Sequence, residues 1–331
     1  MAEVNYPHTN RRLRADRHIR ELTSTVRLTH KAFIQPLFVE EGLTEIRLVS
    51  GMQDVWVDTA TTIIETIQRD MESGVTKFIL FPVPKNKSAS AFDFSFASAV
   101  IKAIKQQFGE HIWIAVDLCL CSYTTHGHCG ILNDSQQRLL NHETVLQLAQ
   151  YALLLAKSGA DCIAPSDMTD GRIAAIRKTL DQHGFDCVSI MSYAAKFSSQ
   201  FYGPFRDACH SSPNAKGLQN RKTYQISPSN LGDAIETALR DEKEGADILM
   251  VKPAGFYTDI IKGIAECSRK PIAAYHVSGE YAALELLVKA GLADRGAVHL
   301  EVWTALVRSG ATIIISYASR YSKQWIENAE V

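Results

Sequence analysis

The sequence predicts an α/β chain closed into a (β/α)8 barrel with an extended N-terminal arm. Three observations carry this reading. Eight short runs rich in Val, Ile, Phe and Tyr recur along the chain, and segments with helical spacing of their apolar residues lie between them. Strands that alternate with crossover helices lie parallel and are buried on both faces, which matches their continuous apolar character. The length, 331 residues, holds eight such units and leaves residues over for an arm and a long loop.

The elements follow in order. The first thirty residues carry Arg11, Arg12, Arg14, Arg17 and Arg20 among few apolar anchors, so 1–30 is expected to be an arm outside the barrel, either mobile or laid on another subunit. The second alternative makes the chain a homo-oligomer. The barrel domain, 31–331, then begins with AFIQPLFVE (32–40) and KFILFPV (77–83), followed by IWIAVDLCL (112–120) and DCIAPS (161–166). Its later strands are CVSIMSY (187–193), DILMVKP (247–253), PIAAYHV (271–277) and TIIISYA (312–318). Between the third and fourth, ETVLQLAQYALLLAKSG (143–159) repeats apolar residues at three- and four-residue steps and stops at Gly159, as a crossover helix should. The stretch 194–230, rich in Gly, Pro, Ser and Asn, is far longer than an ordinary connection and reads as a lid.

Composition narrows the function. With 35 Lys+Arg against 36 Asp+Glu the net charge is −1, which argues against a nucleic-acid partner, and 46% apolar with 21% charged residues describes a globular chain. A polar, basic N-terminus and the lack of any run of about 18 apolar residues indicate neither secretion nor membrane spanning. Seven cysteines, odd in number and sparse, fit a reducing compartment, so a cytoplasmic location is expected. Cys162 and Cys187, inside strand runs, read as core residues, whereas Cys119, Cys121 and Cys129 crowd one segment.

Barrels of this class carry their chemistry at the C-terminal ends of the strands. Those ends deliver Asp117, Cys119 and Cys121, then Ser166 and Asp167, then Lys196, then Lys252, then Tyr275 and Ser278, and finally Tyr317. Lys252 closes an apolar strand, where desolvation lowers an amine's pKa, and a second ammonium at Lys196 on the adjacent strand pushes in the same direction. Amines so tuned attack carbonyls to form Schiff bases. The plainer alternative pairs each lysine with Asp117 or Asp167. In DLCLCSYTTHGHCG, Cys119 and Cys121 point to one side of a strand and a turn through Gly127 returns Cys129 to them, a three-thiolate zinc site with an open fourth position. Buried thiols, or a closed structural zinc site with His128 as fourth ligand, are the alternatives. In the lid, Tyr202, Phe205, Arg206, Arg221 and Gln225 cover the pocket, and the arginines suit a substrate carboxylate, with solvated surface charge as the alternative. Ser278 and Tyr317 hold a second carboxylate or pack the rim. Two other functions stay open at this point. An aldolase of small keto acids or sugar phosphates needs one such lysine and no thiolate cluster, and a zinc-dependent scaffold needs neither amine.

The segments PLFVEEG (36–42), DLCLCSYTTHGHCG (117–130), APSDMTDGRI (164–173), MSYAAKF (191–197), FYGPFRDA (201–208), RKTYQ (221–225), GADILMVKPAG (245–255) and YHVSGEY (275–281) resemble those of the porphobilinogen synthase (5-aminolevulinic acid dehydratase) family over nearly the whole chain. The resemblance implies a homo-octamer that condenses two 5-aminolevulinates to porphobilinogen with loss of two waters, in tetrapyrrole (heme) biosynthesis. It implies that Lys252 forms a Schiff base with the first-bound, P-site substrate and Lys196 with the A-site substrate. One catalytic-type Zn2+ per subunit would sit on Cys119, Cys121 and Cys129, with Asp117 and Ser166 nearby. Arg206, Arg221 and Gln225 would take the A-side carboxylate and Ser278 and Tyr317 the P-side carboxylate, while Tyr202, Phe205 and Tyr275 line the pocket. Two departures stand out. The lid reads GLQNRKTYQ (217–225), without the acidic residue that many members carry before the Arg-Lys pair. Fifteen residues before Lys252, where magnesium-activated members have Glu, this chain has Thr237 with Glu236 adjacent, so an allosteric Mg2+ is not expected.

Overall fold

The structure, a computed structural model, describes residues 10–329. Residues 1–9 of the expected arm, and 330–331, lie outside the described residues. The strands are β1 (Phe33–Glu40), β2 (Arg47–Leu48), β3 (Trp56–Asp58), β4 (Lys77–Val83) and β5 (Trp113–Leu118), followed by β6 (Cys162–Pro165), β7 (Ser189–Lys196), β8 (Ile248–Lys252), β9 (Ile272–His276) and β10 (Ile313–Ser316). Eight of them run in the order β1-β4-β5-β6-β7-β8-β9-β10, all parallel, and β10 returns to pair with β1 through Phe33↔Ile314 and Ile34↔Ile315. The expected (β/α)8 barrel is therefore closed, and each of the eight expected runs contains or overlaps its strand.

The short ribbon β2–β3 was not expected. β3 pairs parallel with the end of β1 and β2 lies antiparallel to β3, so the ribbon prolongs the wall at the mouth. The expected crossover helix is Asn141–Lys157, whose buried Val145, Leu148, Ala152 and Leu155 face the core. It ends before Gly159, which turns the chain at φ +103°, a conformation that suits glycine. Cys162 is buried as expected, but Cys187 is exposed, because β7 starts only at Ser189.

Two features of β7 govern the site. Its end is aligned with β8, so that Lys196 and Lys252 are direct Cα partners. Between Ser192 and Ala195 the register shifts, with one more residue on β7 than on β8. Regular alternation puts residues three apart on opposite faces. The bulge lets Tyr193 and Lys196 point to the same interior, a re-aiming that bulges commonly perform.

The segment expected as a lid is ordered. Residues 194–196 belong to β7, a helix spans Gly203–Ala208, and Phe197 bridges to Ile226 at the far end. The arm contains a helix, Arg17–Thr23, with no buried residue. Among the described residues no helix is long and apolar enough to cross a membrane.

Candidate active site

The C-terminal ends of β4 to β10, with the segment 197–226 across them, gather the residues singled out from the sequence, Gln225 excepted. Lys252 is buried, and five aromatic rings surround its ammonium: Tyr275 at 4.3 Å, Phe205 at 4.6 Å, Tyr193 at 4.9 Å, Tyr202 at 5.5 Å and Phe81 at 6.0 Å. Ring faces attract the cation, but they replace water poorly. Burial, reinforced by the neighbouring Lys196, brings the Lys252 pKa down from 10.5 to about 7. Lys196 donates to the backbone carbonyl of Ser166, so Ser166 contributes its carbonyl to the amine.

Neither lysine forms an ion pair among the described residues. Asp167 is bound instead by buried Arg172, at 3.5 Å, which also holds Asp241 at 2.9 Å. Asp117 faces both amines, and burial pushes its carboxyl up against their pull. The alternative in which rim carboxylates neutralise the lysines thus loses Asp167 altogether.

The sulfur atoms of Cys119, Cys121 and Cys129 lie within 4.8 Å of one another, all buried. Hydrogen bonds from the Cys119 and Cys121 thiols hold the Cys129 thiol well below its ordinary pKa. A ready thiolate among three soft donors is the chemistry of a zinc or related site. His128 is not available as a fourth ligand. Its Nε2–H donates to the Leu218 carbonyl at 2.7 Å, which leaves Nδ1 to accept from the Tyr224 hydroxyl at 2.9 Å. Beside Cys119 and Cys121 lies a cavity of about 10 Å³, lined also by Asp117, Phe205 and Cys209.

The lid is fastened on several sides. Tyr202 donates to the carbonyls of Phe197, at 2.8 Å, and Lys252, at 3.0 Å. The Phe205 amide donates to Ser278 Oγ at 3.1 Å, and that hydroxyl donates to the Phe201 carbonyl at 3.3 Å. Arg221 donates to the carbonyls of Gly127, at 2.8 Å, and Ser211, at 2.6 Å, tying the lid to the cysteine loop. Arg206 stacks on Tyr202 at 5.7 Å, and its Nε has no partner. On the far wall the Tyr275 and Tyr317 hydroxyls hydrogen-bond at 3.1 Å.

Gln225 stands apart. It is buried with both amide atoms unpartnered, and it lines a separate surface cavity of about 530 Å³ with Lys222 and Arg240. Another cavity, about 880 Å³, lies between the arm and the helix Arg295–Arg308 and shares no residue with the mouth cavity. Thr237, buried on the helix Leu231–Lys243, donates to Asp233 Oδ1 at 3.3 Å.

Sequence reasoning missed Tyr193, Phe81 and Cys209. Phe81 reads from the sequence only as a strand residue, and Tyr193 is hidden by its spacing of three from Lys196, which the bulge alone makes compatible with one face.

Residues 8–325 match the family described as Delta-aminolevulinic acid dehydratase. The delta-aminolevulinic acid dehydratase of Bacillus subtilis (strain 168) is 40% identical over 321 residues, covering 96% of this chain and 97% of its own. That of Helicobacter pylori (strain J99) is 42% identical over 316 residues, covering 94% and 96%. Among solved structures, the delta-aminolevulinic acid dehydratase (porphobilinogen synthase) of Toxoplasma gondii ME49, in complex with the reaction product porphobilinogen, superimposes with a TM-score of 0.93 at 34% identity, covering 98% of this chain and 92% of that one.

Proposed function

Since the chain belongs to the delta-aminolevulinic acid dehydratase family, we propose that its barrel mouth condenses two molecules of 5-aminolevulinate to porphobilinogen with loss of two waters, in tetrapyrrole biosynthesis. The observation that carries the reading is the pairing of two buried lysines, Cα partners at the ends of adjacent strands, with one three-thiol cluster as electrostatic neighbour. An aldolase of one lysine would have no use for the second amine or the thiols.

Lys252, half neutral near pH 7, attacks the ketone of the P-side substrate, and Lys196 that of the A-side substrate. Each resulting imine withdraws electrons from the adjacent carbon, which becomes acidic enough to give an enamine for C–C bond formation. Arg206 and Arg221 take the A-side carboxylate, joined by Gln225 once it turns from the separate cavity it lines here, and Ser278 and Tyr317 take the P-side one, so that two clamps fix which molecule attacks which. Arg221 must exchange its bonds to Gly127 and Ser211 for that carboxylate, which couples substrate binding to the cysteine loop. Asp117 and Ser166 stand beside the amines, and Tyr202, Phe205 and Tyr275 exclude water around Lys252. The donor set fits zinc, which when bound at Cys119, Cys121 and Cys129 supplies Lewis-acid polarisation at the A side. We extend the proposal to a homo-oligomer, an octamer, working in the cytoplasm.

Purified protein incubated with 5-aminolevulinate and zinc should form porphobilinogen, and borohydride should trap an adduct on Lys252 that mass spectrometry locates. Both should vanish in Lys252→Ala, and chelation should stop product formation until zinc is restored. Correctly folded, zinc-loaded protein giving neither product nor adduct would sink the reading.

A further inference from the structure

Tyr193 is fully buried, and its hydroxyl faces the Asp117 carboxylate without completing a hydrogen bond of ordinary geometry. A buried, unpaired hydroxyl is costly, and phenylalanine would fill the same space without that cost. The oxygen therefore calls for an explanation in chemistry rather than packing. Its ring centre lies 4.9 Å from Lys252 Nζ and 5.4 Å from Lys196 Nζ, within reach of both amines. Three of the five rings about Lys252 are phenols, and two of those hydroxyls are committed. Tyr275 is bonded to Tyr317, and Tyr202 donates to the Phe197 and Lys252 carbonyls. Tyr193 alone of the three makes no hydrogen bond of ordinary geometry and is left facing Asp117. The Asp117 carboxylate, one oxygen of which is also unpartnered, is its strongest electrostatic neighbour. The β7 bulge turns this ring inward beside Lys196, where regular pleating would have turned it away.

We propose that Tyr193 is a catalytic residue whose hydroxyl relays the protons of imine formation at Lys252 and Lys196. The proposal rests on the dehydratase reading above. Attack of a lysine nitrogen on the ketone forms the N–C bond, and the relay moves one proton from nitrogen to oxygen, giving a carbinolamine. The phenol then gives its proton to the carbinolamine hydroxyl, the C–O bond breaks and water leaves. The phenolate recovers a proton from the iminium nitrogen, which restores the phenol and leaves the neutral imine. Both amine protons end on the departing water, and no oxidant or net change of ionisation is needed.

Tyr193→Phe, compared with the parent protein, tests this through steady-state kinetics and the rate at which borohydride traps 5-aminolevulinate on Lys252 and Lys196. The expected result is a fall in kcat of about 10²-fold, in the usual range for loss of a general acid–base group. KM should stay within about threefold, and adduct formation should slow in parallel with kcat. An unchanged kcat overturns the relay. So does a raised KM with kcat retained, which would make the hydroxyl a binding group only. If Tyr193→Phe does not fold, 3-fluorotyrosine at position 193 keeps the shape with a more acidic phenol, and a rate of adduct formation indifferent to it overturns the proposal. A parent protein that yields neither product nor adduct overturns the dehydratase reading instead, so the two failures are distinct.

Discussion

Lys252 shows how one residue trades stability for chemistry. A buried amine whose pKa falls from 10.5 to about 7 costs the folded state on the order of 4 kcal/mol at neutral pH, at about 1.4 kcal/mol per pH unit. Between pH 7 and 10.5 the unfolded chain holds a proton that the folded one has released, so this residue makes stability rise with pH across that window. Lys252→Met, apolar and of similar length, should remove the cost. We expect an inactive protein whose Tm at pH 7 is higher by a few degrees, with a smaller gain at pH 10. Thermal unfolding at the two pH values checks this, and an unchanged or lower Tm at pH 7 would count against a desolvated amine. The same pKa predicts the activity profile of the parent. With the neutral amine as the proposed nucleophile, kcat/KM should fall about tenfold per pH unit below pH 7, and a flat profile down to pH 5 would contradict it. Glu280 works in the opposite direction. Burial raises its pKa from 4.5 to about 7 although the Val277 and Gly255 amides donate to it, so the folded state holds a proton that the unfolded state loses between those values, and stability falls with rising pH there. Glu280 joins the loop after β8 to the loop after β9, the elements that carry Lys252 and Ser278.

At the scale of elements, the lid is the part that must move. A mouth cavity of about 10 Å³ has room for about one water, whereas pockets that hold small molecules usually measure hundreds of Å³. Residues between Phe197 and Ile226 are therefore expected to open if the mouth is to admit the proposed substrate. Gly279 marks one attachment, where its amide donates to the Phe201 carbonyl at 2.8 Å and an added Cβ would lie 2.7 Å from that oxygen. Gly279→Ala should push this end of the lid outward, lower kcat at least tenfold and leave the barrel folded, because the clash falls on a loop and not on the strands. Limited proteolysis should then cut within 197–226 faster than in the parent, and equal cutting with full activity would refute the attachment. How much of this the sequence discloses differs by element. The eight barrel strands are legible because each is buried on both faces and reads as one apolar run. The ribbon β2–β3 is not, since two- and three-residue strands carry no period. The lysines and the cysteine cluster are legible from their places at strand ends. Tyr193 is not, because a bulge breaks the alternation that a reader must assume, and the engagement of Asp167 by Arg172 depends on a helix packing that no local pattern records.

At the scale of the whole molecule, the barrel closes without the arm. β10 meets β1 directly, and the helix Arg17–Thr23 contributes no buried residue to the core. Seven residues make an unstable helix in water, so the arm needs a surface to hold it. Leu13 and Leu22 on the arm are exposed, as are Leu286, Leu287 and Leu292 on the barrel flank, and apolar residues left open on both parts suit contacts between copies of one chain. These exposed leucines support the proposed homo-oligomer. Deleting residues 1–23 should leave a cooperatively unfolding barrel with Tm within a few degrees of the parent, since no buried side chain of the helix is lost. Sedimentation velocity should at the same time show a smaller assembly than the full chain forms. If the truncated protein keeps the full assembly size, the arm is not the contact that builds it, and the leucines of the barrel flank become the surface to substitute next.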